Sequence, residues 1–120
     1  MNEQELKQRT KMFALRAMKL VEALPKSIGG KTIGAQLVRS ATSVGANYRA
    51  ACRARSKAEF ASRLAVVEEE ADESAFWMEL IIESGILPPR RVQGLMDEAC
   101  ALVAIIVASR KSALRARGSG

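Results

Sequence analysis

The chain has 120 residues and a formal net charge of +6, with 19 basic against 13 acidic side chains. That length holds one domain, and the basic excess suits polyanionic partners without deciding the fold. Histidine is absent, which removes the commonest general base, the commonest metal ligand and every His-based triad.

Hydrophobic residues make up 48% of the chain and aromatics only 4%, so the core must be built from Ala, Val, Leu, Ile and Met. Such a core suits closely packed helices better than sheets. From residue 4 to 24, Leu6, Phe13, Ala14, Ala17, Leu20, Val21 and Leu24 recur at helical spacing and form one apolar face. Pro25 stops this first helix, and residues 26–31, with Gly29 and Gly30, read as loop. Thr32 is placed to cap a second helix over 32–55, with Ile33, Leu37, Ala41, Val44, Tyr48 and Ala51 inside. Ser56 followed by Glu59 forms a capping box that opens a third helix over 56–84. Its inner stripe is Phe60, Leu64, Val67, Ala71, Ser74, Met78 and Ile81, and Gly85 is its stop. Pro88 and Pro89 open a fourth helix over 89–115, with Val92, Leu95, Met96, Ala99, Leu102, Val103 and Ile106 inside. No strand alternation occurs. Helices of similar length with short connections predict an all-α, antiparallel up-down four-helix bundle, a single domain over 1–120.

Cys52 and Cys100 are expected to be small buried residues in a reducing compartment. Residues 1–5 are polar and acidic, unlike an export signal, and the longest apolar run, 99–108, falls short of the roughly 20 residues that span a bilayer. The expectation is a cytoplasmic protein with no membrane partner.

Three motifs invite chemistry and none holds. Gly30-Lys31-Thr32 resembles the end of a phosphate-binding loop, but Pro25 stands where the motif needs its first glycine and no strand precedes it. Glu68, Glu69, Glu70, Asp72 and Glu73 all sit on one predicted helix, whereas carboxylate metal sites in bundles draw Glu and His from facing helices. Ser40, Ser43 and Cys52 have no adjacent base to activate them. No catalytic residue, metal site or cofactor is predicted, and the protein reads as a non-enzyme.

Charge is unevenly placed. Segment 32–55 carries Arg39, Arg49, Arg53 and Arg55 and no acid, whereas segment 56–84 is strongly acidic. Antiparallel pairing about a turn near residue 55 sets Arg39 opposite Glu70, Asp72 and Glu73. Removing Arg39 should then be strongly destabilising if the pair is buried and nearly neutral if it is exposed. One end of the bundle gathers Lys7, Arg9, Lys11, Arg49, Arg53, Arg55, Lys57, Arg63, Arg110, Lys111, Arg115 and Arg117, opposed by Glu3, Glu5 and Glu59. Of these, Arg49, Arg53, Arg55, Lys57, Arg110, Lys111, Arg115 and Arg117 are the candidate phosphate contacts. No aromatic residue is interleaved with them, so base stacking is not indicated.

Arg9-Thr10-x-x-Phe13-Ala14, Leu24-Pro25, the run from Gln36 through Arg39-Ser40-x-x-Ser43-Val44-Gly45-Ala46-Asn47-Tyr48, and Glu70-Ala71-x-Glu73-x-x-x-Trp77 form a pattern over residues 6–107. It resembles the four-helix-bundle proteins encoded in ribosomal RNA intervening sequences. That family is similar in fold to the accessory variability protein of diversity-generating retroelements. The resemblance implies a homopentameric ring and association with RNA, DNA or a ribonucleoprotein. It also implies a structural polar network of Arg39, Ser43, Asn47, Glu70 and Glu73. Glu69 departs from the family, many of whose members carry Lys there, and makes the third helix more acidic. The alternative is a scaffold that recruits a protein partner, with its charge incidental to nucleic acid.

Overall fold

A computed structural model describes residues 1–119, with side chains through Arg115. Four helices follow one another: α1 (Glu3–Val21), α2 (Ile28–Ala51), α3 (Lys57–Glu83) and α4 (Pro89–Ser119). They form a rod of 52 × 21 × 20 Å. Each helix packs on two others, in the cyclic order α1, α2, α3, α4, and the diagonal pairs make no close backbone approach among the described residues. This is the expected up-down bundle.

The core follows the predicted stripes closely. Phe13, Ala17, Leu37, Ala41, Val44, Leu64, Val67, Ala71, Met78, Ile81, Val92, Ala99, Leu102 and Ile106 are all solvent-excluded. Ala14, Val21, Leu24, Phe60, Met96 and Val103, expected inside, are only half-buried because they lie on the flanks of their stripes. Cys52 is half-buried and Cys100 is exposed, which corrects the expectation that both would be buried. Three polar residues take core positions. Thr10 is fully buried, and its hydroxyl donates to the Leu6 carbonyl at 2.9 Å. Ser40 of α2 and Ser74 of α3 share a buried hydrogen bond of 2.8 Å, which fixes the register of those two helices. Each hydroxyl is satisfied, so neither carries the cost of an orphaned polar group.

Helix boundaries differ from the sequence reading where caps compete. Helix α1 stops at Val21, three residues short of the expected end, as Ala23 and Leu24 amides turn back to the Leu20 and Val21 carbonyls. Pro25 disfavours helical conformation in the residue before it and so forces this early exit. Helix α2 begins at Ile28 rather than Thr32, because Ser27 is the cap: its Oγ accepts from the Gly30 amide at 3.1 Å. The glycine at 30 is required by contact rather than by flexibility. A Cβ there would lie 2.0 Å from the Pro25 carbonyl oxygen. Helix α2 ends at Ala51, so Arg53 and Arg55 stand in the connection to α3 and not in its last turns. Ser56 caps α3 as expected, accepting from the Glu59 amide at 3.1 Å, but the Glu59 carboxylate bonds the Arg55 amide instead of closing the box on Ser56. Gly85, at φ +77°, takes the left-handed conformation that ends a helix with glycine.

Helix α4 is unusual. Its composition is apolar enough over 18 residues (mean hydropathy 1.6) to match a membrane span, yet only 28% of that stretch is buried in the bundle. Val92, Leu95, Ala99, Leu102 and Ile106 face the core, and much of the remainder is an apolar outer surface.

Two of the glycines of α2, Gly30 and Gly45, offer a paired test. Gly30→Ala should lower the unfolding free energy by about 3 kcal/mol or more, since the backbone must move to admit the methyl group. At Gly45 the same methyl would rest 3.5 Å from the Thr10 hydroxyl, an ordinary contact. Gly45→Ala should therefore be neutral or stabilise by up to about 1 kcal/mol through helix propensity. Denaturant titrations of the two variants check this, and a Gly30→Ala protein as stable as the parent would refute the close approach.

Candidate nucleic-acid interface

The end where α1 begins, α2 gives way to α3 and α4 runs out collects the predicted bases. Lys11, Arg49, Arg53, Arg55, Lys57, Arg63, Lys111 and Arg115 are all exposed there. Among the described residues none of these eight forms an ion pair. Two concavities lie between them. One, of about 190 Å³, is a groove between α1 and α2 lined by Gln4, Lys7, Gln8, Lys11 and Arg49. The other, of about 440 Å³, sits under the α2–α3 connection and is lined by Arg55, Ser56, Lys57, Phe60, Cys52 and Glu3 among others.

Four of the bases counted at this end stand apart. Arg9 reaches α4, where its Nε and Nη2 donate to Glu98 at 2.7 and 2.8 Å. Arg110 donates to Glu68 of α3 at 3.0 Å, and its Nε is buried without a partner. It therefore acts as a tie between α3 and α4, which corrects its placement among the free phosphate contacts. Lys7 pairs with Glu3 one turn away at 3.2 Å. The side chain of Arg117 lies outside the described residues. Glu68 and Glu98 had not been counted against the basic end. A simple antiparallel register about Gly85 sets Glu68 opposite Leu102, two turns short of Arg110, so the pair is not read from turn position alone.

Chemistry at the larger concavity is quiet. Burial pushes the Cys52 thiol up, opposed by the neighbouring Tyr48 hydroxyl, with the Glu3 carboxylate also raising it. Burial likewise pushes the Tyr48 phenol up. Both groups stay protonated at neutral pH, and a protonated thiol is a poor nucleophile. Among the described residues no three His, Cys, Asp or Glu side chains cluster as a metal site would need.

The expected polar network divides in two. Arg39 binds the helix α3 carboxylates as the register predicted, with Nη1 on Glu70 at 2.9 Å, Nη2 on Glu73, and Nε on Gln36 Oε1 at 3.2 Å. Ser43 and Asn47 do not join it. The Asn47 amide donates to the Ser43 carbonyl at 2.9 Å, within α2. Arg39 keeps 47% of its side chain exposed, so in a single bundle its removal should behave as a surface substitution. Beside this cluster α3 exposes Phe76, which packs edge-on to Trp77 with ring centroids 5.2 Å apart. The Trp77 indole N–H is buried and finds no acceptor.

With this geometry in hand, the kinship is specific. Residues 2–108 match the family model described as 23S rRNA-intervening sequence protein, and the chain belongs to that family. Its fold is similar to the crystal structure of a protein of unknown function from the S23 ribosomal protein family of Bacteroides thetaiotaomicron. The TM-score is 0.81 at 27% identity, covering 92% of this chain and 99% of that one. Comparison with curated proteins gives no match.

The Arg9–Glu98 pair yields a pH prediction. Hydrogen bonds from Arg9 hold the Glu98 carboxyl below its ordinary range, against the opposing effect of its partial burial. Its stabilisation is therefore complete above the unfolded carboxylate value near 4.3 and is lost as pH falls through the lower folded value. Glu98→Gln should cost about 1 kcal/mol at neutral pH and flatten the acid side of the stability profile. Thermal melts from neutral pH down to about 3 would show it. Parallel profiles for the two proteins would mean the pair contributes nothing.

Proposed function

We propose that this protein is a non-enzymatic, self-associating bundle that docks the phosphate backbone of RNA or DNA on its basic end. The observation that carries this reading is the sorting of charge there. Of the carboxylates near the end, Glu3 is paired with Lys7 and Glu68 with Arg110, and Glu5 and Glu59 form no ion pair, so eight exposed bases remain unpaired there among the described residues against two acids. Surface bases left without partners give electrostatic binding that is steeply salt-dependent and tolerant of sequence. Tyr48 is buried and Phe60 half-buried, which keeps stacking out of the proposed contact. Membership of a family described by an rRNA intervening sequence favours RNA.

Self-association is supported by the outer surface of α4, apolar and largely unburied in one bundle. Small residues of α2 add little to it: Ala41 is used inside the bundle and Gly45 lies against Thr10, which leaves Ala46 and Ala50 toward the outside. By resemblance the assembly is a pentameric ring, working in the cytoplasm. Light scattering should return a multiple of the 13.0 kDa chain mass, fivefold for the ring. A monomer mass at micromolar concentration would end this part of the proposal.

The decisive variant replaces Arg49, Arg53 and Arg55 with Glu. Arg49 is exposed in the last turn of α2 and the other two stand in the connection after it, so the bundle should stay folded by circular dichroism. Gel shifts with structured RNA, duplex DNA and single strands should show binding by the parent and its loss in the variant. Each phosphate contact removed should lower the salt slope by about one. A parent that binds none of the probes at low salt removes the nucleic-acid reading. The scaffold reading would then rest on Phe76 and Val66, exposed on α3 beside the Arg39 cluster.

A further inference from the structure

The opposite end of the bundle holds a second cluster of bases that the polarity of the sequence conceals. Helices α1 and α4 meet along the sparsest of the four helix seams. Arg9 and Glu98 tie that seam midway, and beyond them it opens into a recess of about 360 Å³. Arg16 and Lys19 of α1 form one wall, and Arg90 and Arg91 in the first turn of α4 form the other. Leu20, Gly94 and Leu95 line the space between.

We infer that this recess is a second binding site for linked phosphate groups. Its lining contains four bases and no carboxylate. Of the acids nearest along α4, Glu98 is hydrogen-bonded to Arg9 and attracts Arg16 only weakly through space, and Asp97 accepts from Gln93 Nε2 at 2.9 Å. Among the described residues none of the four bases forms an ion pair. Glu22, at the C-cap of α1, is exposed and leaves Lys19 unpaired. Four like charges around one concavity repel each other, and a polyanion relieves that repulsion.

Gly94 adds a second, independent observation. Glycine is disfavoured in a helix relative to alanine, and packing does not demand it here. A Cβ at this position would meet only the Arg16 guanidinium, at an ordinary 3.7 Å. What the missing side chain leaves is backbone open to the recess beneath a guanidinium. Linked phosphates could come from a nucleic-acid backbone or from free polyphosphate. The site stands whether or not the basic end binds, so the two can be tested apart.

The test uses ¹⁵N-labelled full-length protein titrated with inorganic tripolyphosphate and, separately, with an RNA hairpin at equal phosphate concentration. The amides of Gly94 and Leu95 should shift saturably. Arg90→Gln with Arg91→Gln should weaken that binding by about tenfold, and Arg16→Gln should weaken it independently. The Glu variant of Arg49, Arg53 and Arg55 should leave these shifts unchanged. Tighter binding of the hairpin assigns the site to nucleic acid, and tighter binding of tripolyphosphate assigns it to the free polyanion. Absence of saturable shifts at Gly94 and Leu95 with both probes, or shifts indifferent to Arg90 and Arg91, would overturn the site while leaving the basic end untouched.

Discussion

The bundle depends on closing a ring of helices at the one seam that no connection closes. Three of the four adjacent pairs are joined by short turns, so chain continuity brings them together. Helices α1 and α4 are joined by nothing covalent, and Arg9 with Glu98 supplies the tie through two charge-assisted hydrogen bonds across the gap. Fixing Arg9 sets the rotation of α1, because residues on its other side (Leu6, Thr10, Phe13, Ala17 and Leu20) then face the core together. The weakest seam thus carries one of the best-formed ion pairs. The tie also shapes the electrostatics nearby, since Glu98 is held chiefly by Arg9 and attracts Arg16 only through space.

Charge in this protein therefore divides by partnership more than by position. Arg9, Arg39, Arg110 and Lys7 are engaged, each with a carboxylate on its own or an adjacent helix. Among the described residues, most of the unpaired bases lie toward the two ends of a rod 52 Å long. A net charge of +6 understates both, because the acids that offset it are concentrated on α3, away from the unpaired bases.

The sequence made the bundle legible through spacing: the large buried side chains of α2 and α3 belonged to the expected stripes, while Gly30, Gly34, Ser40 and Ala61, too small or too polar to mark a stripe, did not, and the Arg39 pairing followed from simple antiparallel register. Sequence failed where the deciding contact was remote or local chemistry had two readings. Thr10 looks polar and surface-bound, but a threonine can satisfy its hydroxyl on its own helix and enter the core. Gly29-Gly30 reads as loop, but Ser27 caps the helix early and the glycine admits Pro25. The Arg9–Glu98 pair was hidden because it links residues 89 apart in the chain, with no turn between α1 and α4 to count from. The cleft bases Arg16, Lys19, Arg90 and Arg91 were hidden for the same reason.

Surface turns are usually where a chain accumulates change most freely, while helix interiors hold constant. Helix α2 shows how unevenly that can apply within a single element. With the Pro25 carbonyl filling the space a side chain would need at Gly30, any other amino acid there forces the backbone to move. Drift in this chain should accordingly slow at Gly30, in the first turn of α2, while passing over Gly45 further along the same helix. A random mutant library selected only for folding would show it as a depleted column at residue 30 beside a well-populated one at residue 45.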